Sequence, residues 1–196
     1  GDNEIFDKLN FPKSKNIELI NIGNKIHFDP GKPTKFSGSA SLKYINEAIK
    51  LITNNKVSRI VTAPISKEAI QKAGSKFKGH TDLLEDRFDC NNVIMAFWSE
   101  KIKVSLSTIH VPIKNVVKDL NSEKLLSQLE SIDSNFTKIL KRRPSIALCA
   151  INPHVSENGA IGDEDLKITV PAANKARKKG INVNGPFSAC LLYTSD

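Results

Sequence analysis

Three of the four histidines, His80, His110 and His154, fall where a strand ends or a helix begins. His154 follows Pro153 directly, and His110 lies two residues before Pro112. Proline fixes its own φ and stiffens the turn beside it, so each imidazole is carried on a rigid corner. Two imidazoles converging from neighbouring strands can hold a divalent metal. Equally, each can bond a nearby backbone group. Two histidines also fall short of the three protein ligands of a catalytic zinc. The fourth, His27, sits in a polar stretch near Asp29 and Pro30.

Gly79-His80-Thr81-Asp82 has a different logic. The glycine lets the backbone approach a ligand, and Thr81 is placed to cap a helix. Free amides and the positive dipole end would then face whatever His80 faces, which suits an anionic group. The plain alternative is a cap beside a solvated histidine. Lys67, just after Ala63-Pro64-Ile65-Ser66, could hold a phosphate or carboxylate, or be a surface lysine beside Glu68. The glycine-containing stretch Asn158-Gly159-Ala160-Ile161-Gly162, flanked by Glu157 and Asp163, reads as a flexible loop able to close over a ligand. No G-x-G-x-x-G, P-loop or G-x-S-x-G motif occurs.

The elements that must position these residues follow from periodicity. Leu42, Ile45, Ile49 and Ile52 fall on one face of a helix over 41–54. Val57–Thr62 is a β-branched run of the kind found in buried parallel strands. A short helix over 66–73 closes at Gly74, and another follows Thr81. Strands are expected over 93–98, 102–109 and 146–151, with a further one starting at 181–183. Leu125, Leu129, Ile132, Phe136 and Ile139 stripe a helix over 122–140, and a last helix runs over 163–179 to Gly180. The alternation predicts an α/β fold, a mostly parallel sheet with flanking helices, in which ligands gather beyond the carboxyl ends of the strands.

The chain has 196 residues, 39% of them apolar, enough for a substantial core. No apolar run approaches the ~20 residues of a membrane helix, and no signal pattern opens the sequence. Three scattered cysteines, Cys90, Cys149 and Cys190, give neither a disulfide framework nor a zinc cage, and predict reduced thiols and a cytoplasmic protein. The net charge of +8 suits phosphorylated or carboxylated partners. Its lysines are spread along the chain without interleaved aromatics, so no nucleic-acid platform is expected.

In order along the chain, the blocks resemble the 4-hydroxythreonine-4-phosphate dehydrogenase family of pyridoxal phosphate biosynthesis. Val61-Thr62-Ala63-Pro64-Ile65-Ser66-Lys67 is similar to its T-[AG]-P-[IV]-x-K block, and Phe77-Lys78-Gly79-His80-Thr81-Asp82 to F-x-G-H-T-[ED]. Ser107-Thr108-Ile109-His110-Val111-Pro112-Ile113 resembles T-T-H-L-P-L. Ile151-Asn152-Pro153-His154 with Glu157, Gly159 and Gly162 resembles L-N-P-H-x-G-E-x-G-x-x-G, and Gly185-Pro186 follows in place.

The resemblance implies NAD-dependent oxidation and decarboxylation of 4-phosphooxy-threonine to an amino-ketone phosphate. It implies a divalent metal (zinc, magnesium or cobalt) held by three histidines, two of them His110 and His154. His80 and Thr81 would be the substrate-contacting pair. It also implies an isocitrate/isopropylmalate dehydrogenase-like fold and a homodimer with active sites at the interface. Other readings are a dehydrogenase of another 4-phosphorylated hydroxy acid and, from a different class, a basic non-catalytic binding protein.

Against the family pattern, the N-terminal G-[DE]-P-x-G-[IV]-G block and the Y-H-D-Q-G block with the third metal histidine are both missing. Residues 1–189 therefore read as one partial dehydrogenase region without an internal boundary. Residues 190–196 read as a tail foreign to the family. The chain by itself is expected to be inactive and to bind metal weakly. Val155-Ser156 stands where the family has small residues.

Overall fold

The computed structural model describes residues 1–9, 14–23, 31–90 and 92–192, so His27 lies outside the described residues. The chain divides into two compact units, Gly1–Asn91 and Asn92–Asp196.

The first unit is helical. After a short α1 (Asn3–Lys8), the long helix α2 (Lys35–Thr53) begins earlier than its apolar spacing indicated. Thr34 starts it, the threonine side chain accepting from Ser37 N at 3.1 Å while Ser37 Oγ accepts from Thr34 N at 3.0 Å. This reciprocal pair satisfies two amides that a helix start leaves free. Ser66 caps α3 (Lys67–Lys72) in the same manner, accepting from Ala69 N at 3.2 Å, and Gly74 at φ +85° closes it. Ser66→Ala is expected to cost about 1 kcal/mol in urea denaturation followed by circular dichroism, the usual worth of such a cap. α4 (His80–Phe88) completes the unit, and Ile45, Ile49 and Leu83 form its core with Leu42, Ile60, Ile65, Phe77 and Leu84 around them.

The expected strand at Val57–Thr62 does not form. The segment has no regular structure and bends at Ser58; Val57 is exposed and Val61 is 98% exposed. A strand needs a ladder partner, and the described residues of this unit contain no other strand.

The second unit carries the β structure. β1 (Ala96–Trp98) and β2 (Lys103–Ser105) pair antiparallel, whereas β3 (Ile146–Cys149) and β4 (Val183–Phe187) pair parallel. Mixed α/β structure is therefore present, but as two two-stranded sheets among the described residues, not as one mostly parallel sheet. The first pair is antiparallel because the link is tight: Ser99 N donates to Ile102 O at 3.0 Å, and so short a turn cannot make a parallel crossover.

After α5 (Val116–Asp119), α6 (Ser122–Leu140) has the bounds its stripe indicated. It buries Leu125, Leu126 and Leu129 against Leu148 of β3, Val183 of β4 and the alanine face of α7 (Val170–Lys178). The helix expected over 163–179 forms over 164–178 but is not uniform. Asp165–Thr169 forms a wide π turn before α7, next to Pro171, which has no N–H to return to the preceding turn. β2 and β3 wall a groove of about 590 Å³ floored by Leu125, Leu129 and Phe136 of α6. No helix among the described residues is long and apolar enough to cross a membrane.

Candidate active site

Within the first unit, the segment Ile60–Ile65 and the start of α4 meet at a cavity of about 220 Å³. His80 lines it, with Thr62 and Pro64 from the segment and Ser41 and Tyr44 from α2. Blocks separated in sequence thus share one hollow. Tyr44 Oη donates to Asp2 Oδ2 beside it. Burial first, and then the Asp2 carboxylate, pushes the phenol well above its ordinary range, so it remains a donor. No local pattern marks Ser41 or Tyr44, since they reach the cavity only because α2 packs there.

The cap of α4 differs from expectation. Gly79, not Thr81, is the N-cap, and Thr81 lies exposed inside the first turn. The Asp82 carboxylate accepts from Gly79 N at 2.9 Å and from Lys78 N. Burial would raise its pKa, but these amide bonds outweigh it and hold Asp82 below the ordinary carboxylate range. Asp82 thus ties down the amides of Lys78 and Gly79, just before and at the N-cap. Gly79 itself is in extended backbone with ordinary room for a Cβ, so no close approach explains the glycine. Lys67 is the first residue of α3 and exposed; Glu68 pairs instead with Lys72 at 2.7 Å.

In the second unit, His154 begins a run of five left-handed residues, His154 to Asn158, with φ between 45° and 62°. L-residues pay roughly 1–2 kcal/mol each in this region, and a β-branched one such as Val155 is a genuine outlier. The residues leading into the stretch read as a flexible loop, 158–162, are tied to a buried carboxylate. Asp165, fully buried, accepts from Ile151 N at 2.8 Å, Asn152 N at 3.0 Å, Ser156 Oγ at 2.8 Å and Thr169 Oγ1 at 2.6 Å. Asn152 Nδ2 donates to Ser156 Oγ at 3.1 Å and to Glu164 Oε2 at 2.6 Å. Gly162, at φ +106°, is in backbone that favours glycine, and a Cβ there would displace the side-chain tips of Glu164 and Asn152. Burial raises the Asp165 pKa, but the four donors outweigh it and leave the carboxyl below its ordinary value.

His110 is also left-handed, at φ 56°, in the turn that follows β2. Both His110 and His154 are exposed, and neither imidazole has a hydrogen-bond partner among the described residues. Such nitrogens suit a divalent transition metal. No group of three or more His, Cys, Asp or Glu able to hold an ion occurs among the described residues.

The family model described as pyridoxal phosphate biosynthetic protein PdxA matches residues 3–196, a span that includes the divergent stretch 190–196. The chain is 39% identical over 164 residues to a 4-hydroxythreonine-4-phosphate dehydrogenase of Desulforapulum autotrophicum, covering 83% of this chain and 48% of that protein. It is 32% identical over 179 residues to a D-threonate 4-phosphate dehydrogenase of Bordetella bronchiseptica, covering 90% and 51%. The crystal structure of a 4-hydroxythreonine-4-phosphate dehydrogenase from Klebsiella pneumoniae superimposes with a TM-score of 0.81 at 32% identity, over 85% of this chain and 50% of that one. The chain spans about half the length of the curated relatives it matches.

Proposed function

The chain belongs to the pyridoxal phosphate biosynthetic protein PdxA family, and on that premise we propose that the protein containing it oxidises and decarboxylates 4-phosphooxy-threonine with NAD, assisted by a divalent metal, in pyridoxal 5'-phosphate (vitamin B6) formation. The observation that carries this reading is the shared cavity in the first unit, where Thr62 and Pro64 of one family-like block face His80 of the next. His80 and Thr81 contact the substrate. Asp82 ties back to the amides of Lys78 and Gly79 and so fixes the α4 start that carries the imidazole and the threonine hydroxyl.

His110 and His154 hold the metal through ring nitrogens, on backbone corners that keep both rings at the surface. Bound there, a divalent cation supplies Lewis acidity, easing loss of the hydroxyl proton and polarising the ketone for decarboxylation. The described residues nominate no dinucleotide contact. The same premise gives an isocitrate/isopropylmalate dehydrogenase-like sheet in the whole protein and a homodimer with active sites at its interface. A cytoplasmic setting is consistent with three unpaired, exposed cysteines.

The D-threonate 4-phosphate dehydrogenase among the relatives favours a second substrate, D-threonate 4-phosphate. The test is nicotinamide reduction by a full-length protein containing this sequence, with each phosphate in turn and zinc, magnesium or cobalt present. We expect 4-phosphooxy-threonine to give the higher kcat/KM, and His154→Ala to lower it at least about 100-fold, since even residues supporting a metal ligand are worth 10–100-fold. Preference for D-threonate 4-phosphate would move the assignment to that substrate. Turnover of neither, or indifference to His154→Ala, would overturn it.

A further inference from the structure

We propose that Asp165 is a positioning residue which, with Ser156 and Asn152, clamps the left-handed turn and so fixes the direction of the His154 imidazole. This rests on the reading of His154 as a metal ligand.

The turn has backbone bonds of its own, from Ala160 N to Glu157 O and from Ile161 N to Ser156 O, both at 3.2 Å, but these do not offset the cost of its hand. Val155, Ser156, Glu157 and Asn158 are all non-glycine residues in the left-handed region, and none of the first three has an intrinsic preference for it. Free of outside support, the segment would relax to ordinary backbone. The side-chain support converges on one buried group. Asp165 Oδ1 and Oδ2 take the amides of Ile151 and Asn152, which immediately precede Pro153 and His154, and so set the chain's exit from β3. Oδ2 also takes the Ser156 hydroxyl, two residues beyond His154. The histidine is thereby anchored on both sides while its own ring remains at the surface. Ser156 is fully buried, and its Oγ also accepts from Asn152 Nδ2, which ties the two anchors to each other. Thr169 Oγ1 holds Asp165 from behind, in the π turn before α7.

Ser156 stands where the family pattern has glycine. A glycine would enter the left-handed region freely; a serine there is held by its hydroxyl instead. The clamp therefore does in this chain, through a side chain, part of what a flexible backbone does in the family pattern. Supports of this kind behind a metal ligand govern affinity because they fix ring orientation.

The test uses the full 196-residue chain, with Asp165→Asn, Ser156→Ala and, as a control, Leu129→Ala, which opens the core of the same unit away from the turn. Backbone 15N order parameters over 154–158 and titration with zinc are measured for each, with circular dichroism to check the fold. We expect order near 0.85 in the parent, falling below about 0.6 in Asp165→Asn, and zinc affinity reduced about 10- to 100-fold. Ser156→Ala should change both in the same direction by less, and serves alone if Asp165→Asn does not fold. Leu129→Ala should leave zinc affinity unchanged.

Retained order in the turn, or zinc affinity within about twofold of the parent in both clamp variants, overturns the proposal. So does an equal loss in Leu129→Ala, which would mark a general effect of stability. If zinc binding in the parent is indifferent to His154→Ala, the metal reading fails. The order parameters still decide whether the clamp exists.

Discussion

Gly38→Ala is expected to destabilise the first unit by about 2–3 kcal/mol, against the usual direction for this substitution in a helix. Mid-helix glycine is normally worse than alanine by about 1 kcal/mol, because of its backbone freedom. Here α2 and α3 approach so closely that a Cβ at Gly38 would lie 1.9 Å from the Ala69 carbonyl oxygen, 2.3 Å from its carbon and 2.8 Å from Ile70 N. All three are backbone atoms and cannot swing aside like a side-chain tip. Relief requires α3 to move, and α3 contributes the buried Ala69 and Ile70. Overpacking of this kind typically costs 1–3 kcal/mol, and more where no side chain can yield, which outweighs the helix-propensity gain. Urea denaturation of Gly38→Ala and Gly74→Ala provides the check. Gly74 has open space around it and a left-handed φ, so its loss should be only about 1 kcal/mol. A neutral or stabilising Gly38→Ala would mean that the two helices do not pack at this distance.

The second large effect is in acid. Asp165 is desolvated, which alone would raise its pKa, but the Thr169 hydroxyl, the Ile151 and Asn152 amides and the Ser156 hydroxyl bring it below the ordinary value. A carboxyl whose folded pKa lies below the unfolded ~3.9 contributes stability that is fully present above that value. The contribution is lost as pH falls through the folded pKa. Asp165→Asn should therefore be less stable than the parent near neutrality and should lose less on acidification below about pH 4. Asp165→Ala leaves two buried amides and two hydroxyls without their acceptor and should cost about 3–5 kcal/mol at neutral pH, the scale for breaking a buried charged network. Denaturation midpoints across an acid series test this. Parallel losses in the parent and in Asp165→Asn would exclude Asp165 as the acid-labile group.

What could be read in advance depended on whether the cause was local. α6 was legible because its stripe of leucine, isoleucine and phenylalanine is long and regular, and the observed bounds coincide with it. Gly74 was legible for the same reason, as a closure acts within a few residues, whereas Ser66, read as the first residue of that helix, is its cap. Val57–Thr62 has strand composition, yet composition cannot supply a ladder partner. Thr81 is a good capping residue by type, but Asp82 reaches back to Lys78 and Gly79 and moves the start of the helix. The left-handed run from His154 was illegible because Val155 and Glu157 show no preference for it; the carboxylate that supports it lies eleven residues beyond the histidine. Among the site residues, His80 was found by its motif, whereas Ser41 and Tyr44 needed the fold to bring α2 to the same cavity.

The groove between β2 and β3 has a practical corollary. Each strand is paired on one side only among the described residues, so each has an edge without a ladder partner. Such edges are templates, and a second copy of the chain meeting them in concentrated solution can bond there as readily as any intended neighbour. Self-adhesion that grows with concentration is therefore the expected behaviour of this polypeptide, and light scattering over a dilution series reads it.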